Sequence, residues 1–453
     1  MAEESRRRAK PKEDDANNEA TRSSLFRALS HRSYQLFFGG QLVSLTGTWM
    51  QSIAQSWLVY RLTGSAVLLG LVGFSSQIPV LLLASFGGAI ADRYSRRRVL
   101  LITQTIAMLL ALTLAALTLT GRIEVWHLYV LGALLGTANA FDIPTRQAFV
   151  VDLVGKEDLI NAIALNSSMF NGARIVGPAI AGLLVAAVGE GWCFLLNGTS
   201  YVAVLASLLL MNVTPRVRVP IPGSALANIT EGFGFVARTA PVRALLLLLG
   251  LVSLMGMPYA VLMPIFADRI LGGGASGLGM LMGASGIGAL AGALMLASRN
   301  GLRGLGRWVA LSSAGFGVGL ILFALSRTFW LSAALLVPIG FSMMIQMASS
   351  NTLVQSMVPD ELRGRVMAVY SMMFMGMAPF GALLAGTLSE RVGAPTTVII
   401  GGSVCIIGAA VFGYRLPALR DEARRIIVAL QMTGGTPSDE MTGGGSVVAP
   451  RRA

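Results

Sequence analysis

The sequence predicts an all-α integral membrane protein with twelve transmembrane helices, arranged as two six-helix halves related by a parallel repeat. Three observations predict it: an apolar composition, a series of apolar stretches of spanning length, and an internal repeat. Of the 453 residues, 54% are hydrophobic and 13% are charged, whereas soluble globular chains carry about 25% charged residues. So few charges cannot cover a soluble protein of this size, and much of the surface must therefore face lipid.

Twelve apolar stretches each approach the roughly 20 residues that a helix needs to cross a bilayer. They lie at residues 37–60, 67–91, 99–119, 126–153, 165–188, 192–211, 244–267, 278–297, 309–325, 329–357, 366–388 and 396–414. We therefore predict a disordered cytoplasmic tail at 1–33, a six-helix half at 34–211, a cytoplasmic linker at 212–243, a second half at 244–415 and a second tail at 416–453. Residues 417–432 in that tail fit an amphipathic surface helix or a solvated linker.

The internal repeat organises the chain. With an offset of 209 residues, segment 42–81 aligns without gaps with 251–290 and shares 13 of 40 residues; with an offset of 204, segment 154–189 aligns with 358–393 and shares 13 of 36. Unrelated segments of this composition should share about a tenth. Because six predicted helices separate each matched pair, both halves should enter the membrane in the same orientation. Such a design places a substrate site between the halves and allows access to alternate.

The basic residues lie mainly on one side of the predicted topology. Of 35 Lys and Arg residues, 29 fall in the tails and in the connections after even-numbered helices. The other side holds Arg61, Arg122, Arg269, Arg327 and Arg391, and Arg174 lies within the fifth helix. This asymmetry predicts that both termini are cytoplasmic. The net charge of +13 is then a topology signal, and no nucleic-acid partner is expected.

The connection after the second helix carries a motif, GGAIADRYSRRRVL at residues 87–100. It resembles the signature loop of the major facilitator superfamily, and the matching residues are Gly88, Asp92, Arg93, Arg96 and Arg97, with Ser95 in place of the usual second glycine. The resemblance implies a gating role. We expect Asp92 to meet the partly positive N-terminus of the eleventh helix, predicted to begin near Val366. The alternative is that the loop only marks the membrane boundary.

A second motif, GARIVGPAIAG, lies in the fifth helix. It resembles the Gly-Pro antiporter motif of the same superfamily, which is associated with exporters, and the residues in question are Gly172, Gly177, Pro178 and Gly182. The segment FDIPTRQAF at 141–149 resembles the branch that contains enterobactin and macrolide exporters. The resemblance implies helix-packing glycines and a transporter of the bacterial inner membrane.

Asp142 is the one carboxylate that we predict well within a spanning segment, which makes it a functional candidate. Arg146 follows at the i,i+4 spacing that allows an ion pair, and Arg174, Arg96 and Arg97 are competing partners. Asp142 could carry a proton or close a gate as an ion pair. The gate is favoured, because a carboxylate beside an arginine stays ionised.

The first helix presents a polar stripe. Ser44, Thr48, Gln51 and Gln55 recur at i, i+4, i+7 and i+11 on an otherwise apolar helix, so they share one face. We predict contact with the transported molecule. Hydrogen bonding between helices is an equally good interpretation, because these side chains also join neighbouring transmembrane helices.

Together these features predict a secondary active transporter that exports a hydrophobic or amphiphilic small molecule in exchange for protons. The alternatives are a nutrient uptake transporter and a non-transporting membrane receptor or sensor. No enzyme activity, cofactor or metal is expected, since Cys193, Cys405, His31 and His127 cannot form a cluster by their spacing. The glycine-rich segments lack the lysine of a phosphate-binding loop, which argues against ATP hydrolysis.

Overall fold

The computed structural model describes residues 27–155, 157–211, 225–299, 301–302 and 304–432, and every regular element in them is helical. We number the helices α1 Arg32–Thr63, α2 Ala66–Arg93, α3 Arg96–Leu119, α4 Val125–Val154, α5 Leu159–Val188, α6 Glu190–Leu210, α7 Ala225–Arg238, α8 Ala240–Leu251, α9 Gly274–Ala297, α10 Leu305–Leu325, α11 Phe329–Ser356, α12 Asp360–Met375, α13 Met377–Val392 and α14 Ala394–Met432. The prediction of an all-helical chain with many membrane spans is confirmed.

Ten helical segments of the described residues are long and apolar enough to cross a membrane. Helices α1 and α4 are not among them. Both lie where spans were predicted, but α1 carries buried Gln41 and Gln51, and α4 carries buried Asp142. Polar side chains inside the bundle lower the mean hydropathy of these two helices. Length and composition alone therefore support ten spans rather than the predicted twelve.

The helices form two sets. Helices α1 to α6 pack against one another, and so do α8 to α14; between the sets, α2 packs against α13 and α5 against α9. We call the end with the start of α1, the α2–α3 loop and α7 the terminal end, and the end with the α1–α2 turn the opposite end. Large apolar side chains such as Leu82, Leu183 and Leu325 are exposed on the outside, as expected of a surface that meets lipid.

The predicted helix at 244–267 is irregular. Regular α-helix ends at Leu251 and is followed by a π turn at Val252–Gly256, a 3-10 turn at Met257–Ala260 and a second π turn at Phe266–Ile270. Pro258 and Pro264 explain the change, because proline has no N–H to donate to the preceding turn. The structure confirms a span here, Ala240–Ile270, although it is not regular α-helix throughout.

The predicted helix at 366–388 is also corrected. It begins earlier, at Asp360 directly after Pro359, and it is interrupted at Gly376. Pro359 ends the preceding segment with an extended conformation, and Asp360 and Glu361 favour a helix N-terminus. The interruption follows from Pro379, whose missing N–H leaves the carbonyl of Met375 without its helical donor.

Two predicted boundaries also change. Helix α14 does not end at residue 414 but continues through Pro417 to Met432, so residues 417–432 are helical rather than a solvated linker. Within the predicted linker at 212–243, residues 225–238 form α7, and 212–224 lie outside the described residues.

The predicted disordered tail at 1–33 is ordered from Arg27 onward, and residues 1–26 lie outside the described part. A 3-10 turn at Arg27–Ser30 docks on the start of α5. The carboxylate of Asp158 lies 2.9 Å from His31 Nε2 and 2.8 Å from Arg27 Nε. The hydrogen bond from His31, assisted by the charge of Arg27, holds the pKa of Asp158 below its ordinary value.

Candidate transport and gating site

Asp142 is buried in α4 and is the centre of a polar cluster. Its Oδ1 accepts hydrogen bonds from Thr103 Oγ1 at 3.0 Å and from Gln104 Nε2 at 2.7 Å, both on α3. Its Oδ2 lies 3.4 Å from Arg146 Nε, one helical turn away. Two hydrogen-bond donors and a guanidinium therefore surround the carboxylate.

Arg146 extends this cluster to α1, since its Nη1 donates to Gln41 Oε1 at 3.1 Å. The competing partners considered for Asp142 are placed elsewhere. Arg174 contacts Met343 and Trp49, whereas Arg96 and Arg97 bind residues near the terminal end. The structure thus brings Asp142 together with Arg146 and separates it from the other three arginines.

The α2–α3 loop is held mainly by Arg96. Its Nη1 donates to the carbonyl of Ala148 at 2.8 Å and to Asp152 Oδ1 at 3.0 Å. Asp92 lies 3.7 Å from Arg96 Nη2, with its side chain 60% exposed. Arg97 Nη2 donates to the carbonyl of Leu209 at 2.9 Å, at the end of α6, where a cation is favourable. The loop is therefore tied to α4 and α6 of its own set.

The expected meeting of Asp92 with the start of the eleventh helix is not made in this structure, where the charged partner of Asp92 is Arg96. The first turn of α12 already carries Asp360 and Glu361. These carboxylates compensate the positive helix end that Asp92 was expected to meet. Arg93 is exposed.

Glycines of the two motifs differ in what surrounds them. A Cβ on Gly88 or on Gly172 would meet no atom within 4 Å. A Cβ on Gly177, by contrast, would lie 2.5 Å from Trp49 Cβ, and one on the neighbouring Gly87 would meet the carbonyl of Ala140. In this conformation Gly87 and Gly177 permit close helix packing, and Gly88 and Gly172 do not take part in it.

Pro178 and Gly182 lie where α5 crosses α9 of the other set. A Cβ on Gly279 would meet the carbonyl of Pro178, and one on Gly182 would lie 3.0 Å from Gly279 Cα. The crossing of α2 and α13 repeats this arrangement. There a Cβ on Gly70 would meet the carbonyl of Ala382, and one on Gly386 would lie 3.2 Å from Gly70 Cα.

These two crossings use equivalent positions of the sequence repeat. Gly70 and Gly279 are related by the 209-residue offset, and Pro178 with Ala382 and Gly182 with Gly386 by the 204-residue offset. Small residues that allow backbones to approach are typical of transmembrane helix interfaces. We call this pair of contacts the glycine crossings.

The residues of the polar stripe of α1 differ in their surroundings: some are packed against other helices, and one lines a small cavity. Gln51 is buried, and its Oε1 accepts a hydrogen bond from Asn197 Nδ2 on α6 at 2.7 Å. Thr48 Oγ1 donates to the carbonyl of Ser44 in its own helix at 2.9 Å, and Ser44 is buried. Gln55 remains half-buried, and together with Gln51 it lines a cavity of ≈ 10 Å³ between α1, α3 and α4, about enough for one water.

Sequence reasoning missed a group of contacts at the opposite end, which we call the latch. Tyr60 Oη donates to Asp268 Oδ2 at 2.7 Å, and Arg269 Nη2 donates to the carbonyl of Gly64 at 3.2 Å. Glu390 accepts from the hydroxyl of Ser65 and, at 3.4 Å, from the N–H of Val67. Each contact joins the first set of helices to the second. The only sequence signal was that Asp268 and Glu390 lie near predicted span ends.

No group of His, Cys, Asp and Glu residues within the described ranges could hold a metal ion. Cys193 and Cys405 are both free and buried. What the arrangement provides is a bundle of apolar helices, an internal ion pair, and two sets of helices joined at one end. These features are those of a multi-span membrane protein.

The model of the transmembrane secretion effector family, a branch of the major facilitator superfamily, matches residues 23–434. The chain therefore belongs to this family.

Several characterised transporters are similar in sequence. The staphyloferrin A transporter of Staphylococcus aureus (strain NCTC 8325 / PS 47) is 29% identical over 375 residues, 82% of this chain and 93% of that protein. The multidrug efflux pump Tap of Mycolicibacterium fortuitum is 28% identical over 392 residues, covering 84% and 94%. The enterobactin exporter EntS of Shigella boydii serotype 4 (strain Sb227) is 25% identical over 401 residues, covering 87% and 94%.

Solved transporter structures share the fold. The nucleoside transporter NupG superposes with a TM-score of 0.69 at 13% identity, covering 85% of this chain and 99% of that chain. An inward-facing, unoccupied bacterial homologue of the human lysosomal transporter Spinster gives a TM-score of 0.65 at 13% identity, covering 88% and 97%. The family match confirms the resemblance to the major facilitator superfamily. The chain is therefore a transporter rather than an enzyme.

Proposed function

We propose that this chain is a secondary active exporter of a hydrophobic or amphiphilic small molecule, either a drug-like compound or a siderophore. Membership of the secretion effector family supports transport. The relatives are a siderophore transporter, a multidrug efflux pump and an enterobactin exporter, and these functions support export over nutrient uptake or sensing. Because this similarity is modest, the cargo is proposed as a class.

The glycine crossings carry the mechanistic proposal. Equivalent positions of the repeat make the same backbone contact twice, between α2 and α13 and between α5 and α9. This supports twelve spans in two six-helix halves, 34–211 and 244–415, with α1 and α4 counted among the spans. Two halves that meet through equivalent crossings can rock against each other, so that a site between them opens to either side in turn.

The two gates are proposed to differ in construction. The latch and the glycine crossings close the opposite end. The Asp142–Arg146 ion pair and the loop with Gly88, Asp92, Arg93, Arg96 and Arg97 act at the terminal end, when α12 approaches in the other access state. Gly172 would take part in packing only in that state. Gln55, Thr48 and Ser44 remain proposed cargo contacts, whereas the bond from Asn197 favours a packing role for Gln51.

Sidedness follows from charge. With 29 of 35 basic residues on the side of the termini, we propose that the terminal end is cytoplasmic and that the chain lies in the bacterial inner membrane. Reporter fusions at Gly121 and Gly301 should then report opposite sides, with Gly301 in the cytoplasm. Both reporters on one side would contradict the twelve-span arrangement.

Export and its energy source are tested together. Cells that overproduce the protein should accumulate less of a panel of amphiphilic drugs and siderophores than cells lacking it, and a protonophore should abolish the difference. In proteoliposomes, an imposed pH gradient should drive uptake of the same compounds. Equal accumulation in both cell types would contradict export, and transport that survives the protonophore would contradict proton coupling.

A further inference from the structure

Arg174 is a cation in the middle of the bundle whose charge is not neutralised by a neighbour. It lies midway along the 30-residue helix α5. Within the described residues no carboxylate lies within ion-pair distance of it; its contacts are Met343 Sδ, 4.0 Å from Nη2, and the ring of Trp49, 5.9 Å from the guanidinium carbon. A charge at this depth is costly and is usually kept for a function.

The position of Arg174 is between the two helix sets. Trp49 belongs to α1 of the first set and Met343 to α11 of the second, and a Cβ on Gly286 of α9 would lie 3.2 Å from the carbonyl oxygen of Arg174. The side chain is half-buried rather than enclosed. Because it contacts both sets, the side chain lies in the space between them.

The charge balance around this space is positive. Asp142 and Arg146 neutralise each other in α4, and the repeat places Ala378 at the position equivalent to Arg174. A guanidinium offers a planar fork of donors that matches a carboxylate in a bidentate pair. Trp49, which is half-buried, provides an aromatic ring beside it, which suits an apolar body.

We propose that Arg174 is the anion-recognising group of the cargo site, and that the site prefers amphiphiles carrying a carboxylate over neutral or cationic ones. This inference rests on the proposed function and narrows its substrate class. The carboxylate pairs with Arg174 while the apolar part packs against Trp49. A cargo of this kind supplies the counter-charge that the described part of the chain does not place beside Arg174.

The test uses two probes that differ only in charge, 11-(dansylamino)undecanoic acid and its methyl ester. Binding to the full-length protein in nanodiscs is followed by dansyl fluorescence at pH 7.5, where the acid is ionised. The wild type should bind the acid about tenfold or more tightly than the ester, because a charge-assisted bidentate pair contributes at least that factor. Arg174→Gln should lower acid affinity to that of the ester and leave ester affinity unchanged.

Arg174→Lys should keep part of the preference, since it retains the charge without the planar fork. Arg122→Gln removes an exposed charge at the opposite end and should leave both affinities unchanged. Equal binding of acid and ester by the wild type would overturn the inference without any variant. A parallel loss of affinity for both probes in Arg174→Gln would also overturn the inference. Failure of export in cells would contradict the proposed function and leave this binding result standing.

Discussion

The two ends of the bundle are built differently. At the opposite end, hydrogen bonds and backbone contacts join one helix set to the other, as Tyr60–Asp268 and the glycine crossings show. At the terminal end, these charged groups pair within one set or with α7, which belongs to neither set: Arg96 binds Asp152 of α4, and Arg365 binds Glu231 of α7 at 2.5 Å.

This difference in construction indicates that the free energy needed to separate the two helix sets differs between the ends. Separating the crossings removes close backbone packing along two helix pairs, whereas the ion pairs named at the terminal end do not join the two sets and need not break when the sets separate there. The conformation described is the one in which the opposite end is joined. The charged loop, which sequence resemblance singles out for gating, is therefore least engaged with the second set in this state.

The largest effect should come from filling a crossing. In Gly279→Val the new side chain would meet the Pro178 carbonyl and the Gly182 backbone, and such overpacking costs about 1–3 kcal/mol. Transport in proteoliposomes should fall about tenfold or more. Gly39→Ala, where a Cβ also meets nothing within 4 Å, is the matched control and should transport as the wild type does. Normal transport by Gly279→Val would show that the crossing does not seal this end.

Weakening the latch should have a smaller effect than filling a glycine crossing. Asp268→Asn removes the charge that accepts from Tyr60, a bond worth about 1 kcal/mol for a partly exposed group, so the opposite end should open about fivefold more often. Labelling of a cysteine introduced at Leu62 measures this, with little background because Cys193 and Cys405 are buried. Tyr60→Phe removes the same bond, and the double variant should add little. Fully additive effects of the two substitutions would show that Tyr60 and Asp268 act independently, which would contradict the latch.

At the terminal end, Asp152→Asn should matter more than Asp92→Asn. Asp152 is largely buried and binds Arg96 at 3.0 Å, whereas Asp92 is 60% exposed at 3.7 Å. An exposed i,i+4 pair contributes about 0.3–0.5 kcal/mol, and α12 already has its own acidic first turn. Asp92→Asn should therefore shift the access-state ratio about twofold. A loss of transport larger in Asp92→Asn than in Asp152→Asn would contradict this ranking and show that Asp92 makes the stronger gating contact in the other access state.

The smallest expected effects come from the two glutamines of α1, Gln51 and Gln55, which should differ in role. Gln51→Leu loses the bond from Asn197, and interhelical bonds of this kind average about 0.6 kcal/mol, so stability should fall slightly with the cargo ranking unchanged. Gln55→Leu should change the ranking of exported compounds and leave stability intact. Thermal unfolding measures the stability of each variant, and export of a panel of compounds measures the cargo ranking. A changed ranking in Gln51→Leu would restore this residue to the cargo site.

Local spacing predicted part of this arrangement. The Asp142–Arg146 pair follows from an i,i+4 relation, and the equivalence of the glycine crossings follows from the repeat. The breaks in the predicted helices at 244–267 and 366–388 were also readable in principle, since Pro258, Pro264 and Pro379 lie within them.

What the sequence did not reveal depends on distant pairs. Tyr60 and Asp268 are 208 residues apart and Arg96 and Asp152 are 56 apart, and no periodic pattern links them. The lack of a counter-charge at Arg174 could not be inferred either, because several carboxylates and arginines were compatible partners until the packing was known. Spacing fixes neighbours on one helix, whereas partners on different helices require the three-dimensional arrangement.

The two ends of the bundle are proposed to open in alternation, and distances between spin labels at each end report this motion. One pair, at Leu62 and Val392, spans the opposite end, and a second pair, at Ser95 and Gly364, spans the terminal end; all four positions are exposed. In the full-length protein in nanodiscs, Gly279→Val should lengthen the first distance and shorten the second relative to the unsubstituted labelled protein. Both distances lengthening together, or the first changing while the second stays fixed, would contradict alternating access.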